Sequence, residues 1–131
     1  MDVWKVCRER ESSFTSCYAQ PPYRLEYKED EWTEAPEGTG LFVFEKRSWA
    51  EKFAEEHQST IGGLLVIFRA EAEEVTPAPQ WILKDTWRQD DVKKLWETEN
   101  WQVREKFYDW WIMSVPEGTV LCQKLRLIER V

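Results

Sequence analysis

The sequence is poor in the residues on which many catalytic and metal-binding sites depend. Among 131 residues it has one histidine, His57, and three cysteines, Cys7, Cys17 and Cys122. The cysteines are odd in number and widely spaced, which excludes the CxxC pairs of a zinc site and the dense framework of a small secreted domain. A lone histidine also argues against a Ser-His-Asp arrangement. We therefore assign no catalytic residue, no metal ligand and no cofactor from the sequence.

Long apolar runs and an excess of basic residues are missing as well. No stretch approaches the roughly 20 apolar residues that span a bilayer, and the first residues lack the pattern of a signal peptide. We therefore expect a cytoplasmic protein with no membrane partner. Eighteen Lys and Arg against 25 Asp and Glu give a formal net charge of −7, which disfavours generic binding to DNA or RNA.

Aromatic residues, by contrast, are abundant, with 9 Trp, 6 Phe and 4 Tyr. This composition is typical of a folded globular protein, and the chain length predicts a single domain over residues 1–131. Six of the tryptophans fall within residues 80–112, among many charged residues. Helical patterns in that stretch predict a mainly helical, Trp-rich insertion.

The rest of the chain is predicted to form strands around one helix. Five segments have the alternation or the apolar run of a β-strand: residues 3–8, 23–28, 41–44, 64–75 and 120–131. Ser48 and Glu51 have the spacing of a capping box, and apolar residues then recur at helical spacing, so residues 48–57 predict an amphipathic helix. The predicted fold class is α+β: a mixed or antiparallel sheet of about five strands with this helix packed on it.

A short internal match connects two parts of the chain. The six residues that begin at Pro36 and the six that begin at Pro116 agree at five positions, and each stretch predicts a turn leading into a strand. Because nothing else repeats, we favour shared turn chemistry over duplication. One arrangement would place the two turns side by side at one end of the sheet, where free N–H groups bind anions.

Both ends of the chain resemble a known group of proteins. The stretch at 22–27, the strand at 37–44 (EGTGLFVF) and the closing PEGT and KLRLIERV segments resemble small proteins encoded by bacteriophages and prokaryotes. The resemblance does not cover the Trp-rich middle and carries over no catalytic residue. It implies a phage setting and the host cytoplasm, where small phage proteins act by binding and some sequester the nucleotide messengers of host defence.

A fainter similarity is to ADP-ribosyltransferase-like folds. The order of a first strand, Phe14-Thr15-Ser16, the strand that follows Gly40 and the helix at 50–54 is similar to the order in those folds. The similarity would make Arg8 the basic residue that binds NAD. The first strand lacks a matching histidine, and no glutamate can be singled out, so transferase activity is an alternative.

The preferred hypothesis is a non-catalytic binder of a small phosphorylated nucleotide, or of a signal derived from one, of the phage counter-defence type. A protein–protein interaction module is the second alternative. In the preferred hypothesis a phosphate lies at the helix N-terminus near Ser48, and a base stacks on Trp32 or Tyr27. The candidate ligand-binding residues are Arg8, Arg24, Tyr27, Trp32, Lys46, Arg47 and Ser48.

One helical face in the Trp-rich segment also suggests self-association. Trp96, Val103, Phe107 and Trp110 fall near one face of the predicted helices. Such a face suits a dimer contact as well as packing within one chain, and it favours a homo-oligomer.

Overall fold

The strands of this protein pair mainly in the antiparallel sense. A computed structural model describes residues 1–17, 25–59, 63–83, 89–107 and 112–131. The strands are β1 (Asp2–Arg10), β2 (Ser13–Thr15), β3 (Glu26–Tyr27), β4 (Trp32–Glu34), β5 (Leu41–Phe44), β6 (Leu64–Glu73), β7 (Thr76–Pro77), β8 (Trp81–Leu83), β9 (Ile112–Ser114), β10 (Thr119–Cys122) and β11 (Lys124–Arg130). The helices are α1 (Arg47–His57), α2 (Gln89–Glu97) and the short α3 (Val103–Lys106), which follows a 3-10 turn at Asn100–Gln102. The predicted α+β class is therefore confirmed.

The main sheet is larger than the sequence predicts. Within the described residues, nine strands form one sheet, with the order β4-β11-β6-β1-β5-β10-β7 and with β2 and β3 attached to β1. The expected number of about five is wrong because three short strands, β2, β4 and β7, lie outside the predicted segments. The predicted closing strand is also divided at Gln123 into β10 and β11.

The sheet closes on itself. β5 pairs with β10 along one edge, and on its other edge Phe44 lies opposite Trp4 of β1. β1 pairs with β6 and β6 pairs with β11, which continues from β10 through Gln123. Because side chains alternate between the two faces of a strand, one face of each of β1, β5, β6, β10 and β11 points into this closed sheet.

The interior of the closed sheet is the main core. It contains 13 buried residues from strands on all sides: Val3, Cys7, Tyr27, Leu41, Val43, Val66, Phe68, Ala70, Ala72, Val120, Cys122, Leu125 and Leu127. Strand β6 carries four of these residues and lies between β1 and β11, at the centre of the sheet. Each large side chain buried there stabilises the fold by about 1.5–3 kcal/mol.

Helix α1 covers the outside of the sheet. Ala50 is fully buried and packs with Val6, Phe44 and Leu65, and the half-buried Trp49 and Phe53 extend this second cluster. The predicted apolar stripe of the helix is therefore confirmed. The stripe fixes the helix across β1, β5 and β6.

The segment at residues 81–114 forms a third, smaller cluster. Val103, Phe107 and Ile112 are buried, and Trp81, Leu95 and Trp96 pack against them. Helices α2 and α3 and the 3-10 turn between them hold most of the described residues of the predicted insertion at 80–112, and β8 and β9 pair as a separate two-stranded sheet at the two ends of the segment. Val103 and Phe107, which the sequence offers as a dimer face, are buried within their own chain, while Trp110 lies outside the described residues.

Candidate functional site

The N-terminus of α1 lies at the end of β5, where three of the predicted site residues follow one another. Helix α1 begins at Arg47, and Lys46 is the N-cap residue, with an extended backbone (φ −133°, ψ 144°). The predicted capping box is wrong, because the helix starts one residue early and Ser48 lies inside its first turn. No side chain caps this end, and the first turn holds no acidic residue.

The polar side chains at this helix end differ in their ion pairs and hydrogen bonds. The Nε atom of Arg47 donates to Glu51 Oε1 at 2.7 Å, one turn further along the helix. Lys46 and Ser48 are exposed and form no ion pair or side-chain hydrogen bond with another described residue. Because the first N–H groups of a helix lack intrahelical acceptors and carry partial positive charge, this end favours an anion.

A small cleft lies along the same helix. Its volume is about 120 Å³, and it lies between α1 and the turn that precedes β10. Six residues line it: Trp49, Lys52, Phe53, Glu56, Pro116 and Glu117. This volume is well below the roughly 300–1,000 Å³ of pockets that enclose a whole small-molecule ligand, so the cleft admits only one group of a larger molecule.

Trp49, one of the lining residues, makes two contacts at this cleft. Its ring packs on Gly118, where an added Cβ atom would lie only 2.3 Å from Cδ1 of the indole. The Nζ atom of Lys52 lies 5.9 Å from the centroid of the same ring. The tryptophan is therefore fixed by the turn and already contacts a cation.

Arg8 lies at the other end of the helix. It is paired with Leu65 across β1 and β6, and its Cγ atom approaches Gly63. Gln58, the C-cap of α1, accepts a hydrogen bond from the Leu65 N–H at 2.9 Å. An 11-residue helix is about 16 Å long, so Arg8, near the C-terminal end of α1, is remote from Lys46 at its N-terminal end. The Nε atom of Arg8 is buried without a hydrogen-bond partner among the described residues.

Tyr27 lies inside the closed sheet rather than on a binding surface. It is only 2% exposed, and the Nζ atom of Lys5 lies 5.2 Å from its ring centroid. Burial raises the pKa of the Tyr27 hydroxyl, against the opposing effect of Lys5. An external ligand therefore does not reach this ring.

Trp32 lies far from the helix end along the sheet. It is 43% exposed in β4, and its ring centroid is 5.3 Å from the guanidinium of Arg126, which also pairs with Glu71 at 2.9 Å. Trp32 is opposite Arg126, whereas Phe44, just before α1, is opposite Thr119. Most of the length of β10 and β11 therefore separates Trp32 from the α1 N-terminus.

Of the predicted site residues, the structure brings together Lys46, Arg47 and Ser48. It does not bring Arg8, Tyr27 or Trp32 to them, because those three belong to the far end of α1, the sheet interior and the β4 edge. Arg24 lies outside the described residues. The base-stacking part of the predicted pocket is therefore not assembled from Tyr27 or Trp32.

Two other features escaped the sequence reasoning. The buried Lys5 could have been found, because it has the same parity as Val3 and Cys7 in a strand whose inward face is otherwise apolar. The contact of Trp49 with Gly118 had no local signal, since the two residues are far apart in sequence. The second of the matching turns thus contributes to the cleft in a way that its sequence does not indicate.

The buried cysteines are not activated nucleophiles. Burial raises the pKa of the Cys7 thiol to about 12 and that of Cys17 to about 11. Burial also raises the pKa of Cys122 to about 11, although Lys5 opposes the shift at all three thiols. Since the thiolate is the reactive form, these groups are unreactive near neutral pH.

Among the described residues, no group of three or more His, Cys, Asp and Glu side chains is placed to hold a metal ion. The helices in the described ranges are all too short or too polar to cross a membrane. No family model, curated protein or solved structure matches the chain.

Proposed function

We propose that this protein is a non-catalytic binder of a small phosphorylated ligand, a nucleotide or a nucleotide-derived signal, whose phosphate lies at the N-terminus of α1. The observation that carries the proposal is a helix end with no capping side chain and no acid in its first turn, introduced by Lys46 and Arg47. A phosphate there would accept hydrogen bonds from free helix N–H groups and from the Ser48 hydroxyl. Sequestration of the ligand, rather than its conversion, is the proposed role.

The charge distribution supports a local rather than a general anion site. The whole chain carries a formal charge of −7, which repels polyanions over long distances but is screened within about 10 Å at ordinary salt. Lys46 is exposed and unpaired among the described residues, and the neighbouring Arg47 pairs with Glu51 one helical turn further along. A small anion can therefore be bound at this helix end while a nucleic acid is not attracted.

The test is binding of nucleotides, cyclic dinucleotides and inorganic phosphate to the double variant Lys46→Ala with Arg47→Ala. A charge-assisted hydrogen bond contributes about 1.5–3 kcal/mol, so affinity should fall at least tenfold. The melting temperature of the free protein should hardly change, because both side chains are exposed. The control is Lys28→Ala with Lys106→Ala, which removes the same charge from exposed positions elsewhere.

A second variant tests the free N–H groups at the helix end. Lys46→Ser supplies a capping oxygen, which typically stabilises a helix by about 1 kcal/mol. Its Oγ atom would occupy the N–H groups that the phosphate uses, so we expect a higher melting temperature together with weaker binding. Equal affinity in all these variants would place the phosphate elsewhere. No binding up to about millimolar ligand would reject the function.

A further inference from the structure

We infer that the cleft between α1 and the turn at residues 116–118 binds a compact organic cation, an alkylammonium or methylated ammonium group. This site is separate from the proposed phosphate site, and neither depends on the other. Its lining combines an indole face, further apolar surface and two carboxylates. That combination recognises quaternary and methylated ammonium groups, because an aromatic face carries negative potential and carboxylates add charge at the rim.

The chain already places a cation in this cleft. Lys52 Nζ lies 5.9 Å from the centroid of the Trp49 ring, within the range of a cation–π contact. Lys52 is exposed and lies one helical turn after Trp49, so its flexible side chain can leave the ring at little cost. The lysine ammonium is thus a tethered stand-in for the ligand, and it competes with the ligand for the indole face.

The aromatic side chains of the cleft are held by their neighbours. Trp49 packs on Gly118, which has a φ of +78° and no room for a side chain. Phe53 is held by Phe44, at 5.5 Å between ring centroids, and by His57, stacked at 4.4 Å. The aromatic walls are therefore held in place before any ligand arrives, which reduces the entropy lost on binding.

Size and charge select the ligand class. A volume of about 120 Å³ is well below the roughly 300–1,000 Å³ of pockets that enclose a whole small-molecule ligand, so the cleft suits a compact methylated ammonium head better than a nucleobase with its sugar. Glu56 and Glu117 are exposed carboxylates at the rim and outnumber the one lysine. With the chain at −7 overall, the local and the global charge both favour a cation over an anion.

The experiment titrates the full chain with tetramethylammonium and follows the Trp49 indole N–H by NMR, with 3,3-dimethylbutan-1-ol as a neutral probe of similar shape to choline. We expect a saturable shift at Trp49, with the neutral alcohol at least about threefold weaker. Lys52→Gln should tighten tetramethylammonium binding about threefold by removing the competitor, and Glu117→Gln should weaken it. The matched control is Lys94→Gln, since Lys94 lies 5.0 Å from the Phe107 ring centroid, outside this cleft.

Three results would overturn the inference: no saturable shift at Trp49, equal binding of the neutral alcohol, or unchanged affinity in Lys52→Gln. A trimethyllysine peptide identifies the source of the cation. Binding at least tenfold tighter than that of tetramethylammonium indicates a protein partner, and equal binding indicates a free amine. The Lys46 and Arg47 variants address a different ligand, so failure of the phosphate site would leave these expectations unchanged.

Discussion

Lys5 occupies an inward-facing position in a core of apolar side chains. Its Nζ atom donates to the carbonyl oxygen of Phe42 at 2.8 Å and lies against the Tyr27 ring. This bond joins β1 to β5 next to the one residue pair, Trp4 with Phe44, through which the two strands are paired. Burial acts to lower the pKa of Lys5, but Tyr27 and the thiols act to raise it, and the net direction is upward. The ammonium therefore helps to close the sheet.

The buried acids around Lys5 predict a loss of stability at alkaline pH. Unfolded thiols release protons from about pH 9, whereas burial keeps the folded Cys7, Cys17 and Cys122 protonated to about 11 or 12. The unfolded state then binds fewer protons, so the free energy of unfolding should fall as pH rises above about 9. The raised pKa of Lys5 acts in the same sense, because its contribution is complete below 10.5 and is lost above that value.

The measurement is urea denaturation under reducing conditions at several values between about pH 7 and pH 11. Cys7→Ala removes one of the titrating groups. The free energy of unfolding of this variant should therefore fall less steeply with pH, by an amount that corresponds to at most one proton. Its stability at neutral pH will also fall because of the cavity, and the comparison is therefore between slopes. The same slope in Cys7→Ala and in the unchanged protein would contradict the assignment.

At the scale of elements, the two matching turns have the same geometry and different surroundings. Thr39 N–H donates to the carbonyl of residue 36 at 3.0 Å, and Thr119 N–H donates to that of residue 116 at 3.3 Å. Gly38 and Gly118 both have a φ of +78°. The turns lie at opposite ends of β5 and β10, not side by side, because those strands are antiparallel. They do not form the joint anion site that their similarity suggests.

This pair of turns allows a matched test of backbone strain against steric overlap. The Cβ atom added in Gly38→Ala meets no atom within 4 Å. The only loss of stability should therefore be the cost of a left-handed backbone at alanine, about 1–2 kcal/mol. Gly118→Ala has the same strain and also displaces Trp49, so we expect a further loss of about 1–3 kcal/mol. Urea denaturation of both variants checks this difference. Equal losses of unfolding free energy in the two variants would show that the Trp49 ring moves aside at no cost in stability.

The elements that could be predicted are those whose signal is local. The apolar run of β6, the stripe of α1 and the glycine of each turn are set by residues next to one another in sequence. The start of α1 could not be located, because Arg47 and Glu51 form their own pair and leave Ser48 inside the helix. Of the predicted site residues, the structure brings together only those that are consecutive in sequence. Trp32 and Tyr27 were misplaced because strand pairing and closure of the sheet depend on distant partners.

At the scale of the whole molecule, the buried side chains fall into clusters of unequal size. The interior of the closed sheet contains 13 buried residues, whereas the cluster within residues 81–114 contains three. Phe42 and Trp96, with ring centroids 5.8 Å apart, connect the smaller cluster to β5. Because the stability of a region follows its buried apolar contacts, the smaller cluster should open at a lower free energy than the sheet.

Native-state hydrogen exchange of Val66→Ala and Val103→Ala tests this order of opening. Each change should destabilise the native state by roughly 1.5–3 kcal/mol, since each removes the same atoms from a buried position. If the smaller cluster opens first, Val103→Ala lowers the exchange free energies of amides in both α2 and β6, because its effect is present in partial and in global unfolding. Val66→Ala should then lower only those in β6, since the sheet remains folded when α2 opens. Trp101→Ala, at a side chain that is 70% exposed, is the control and should change neither set. If Val66→Ala lowered the exchange free energies of both sets equally, the two clusters would unfold as one cooperative unit. The contact between Trp96 and Phe42 would then couple the unfolding of the small cluster to that of the sheet.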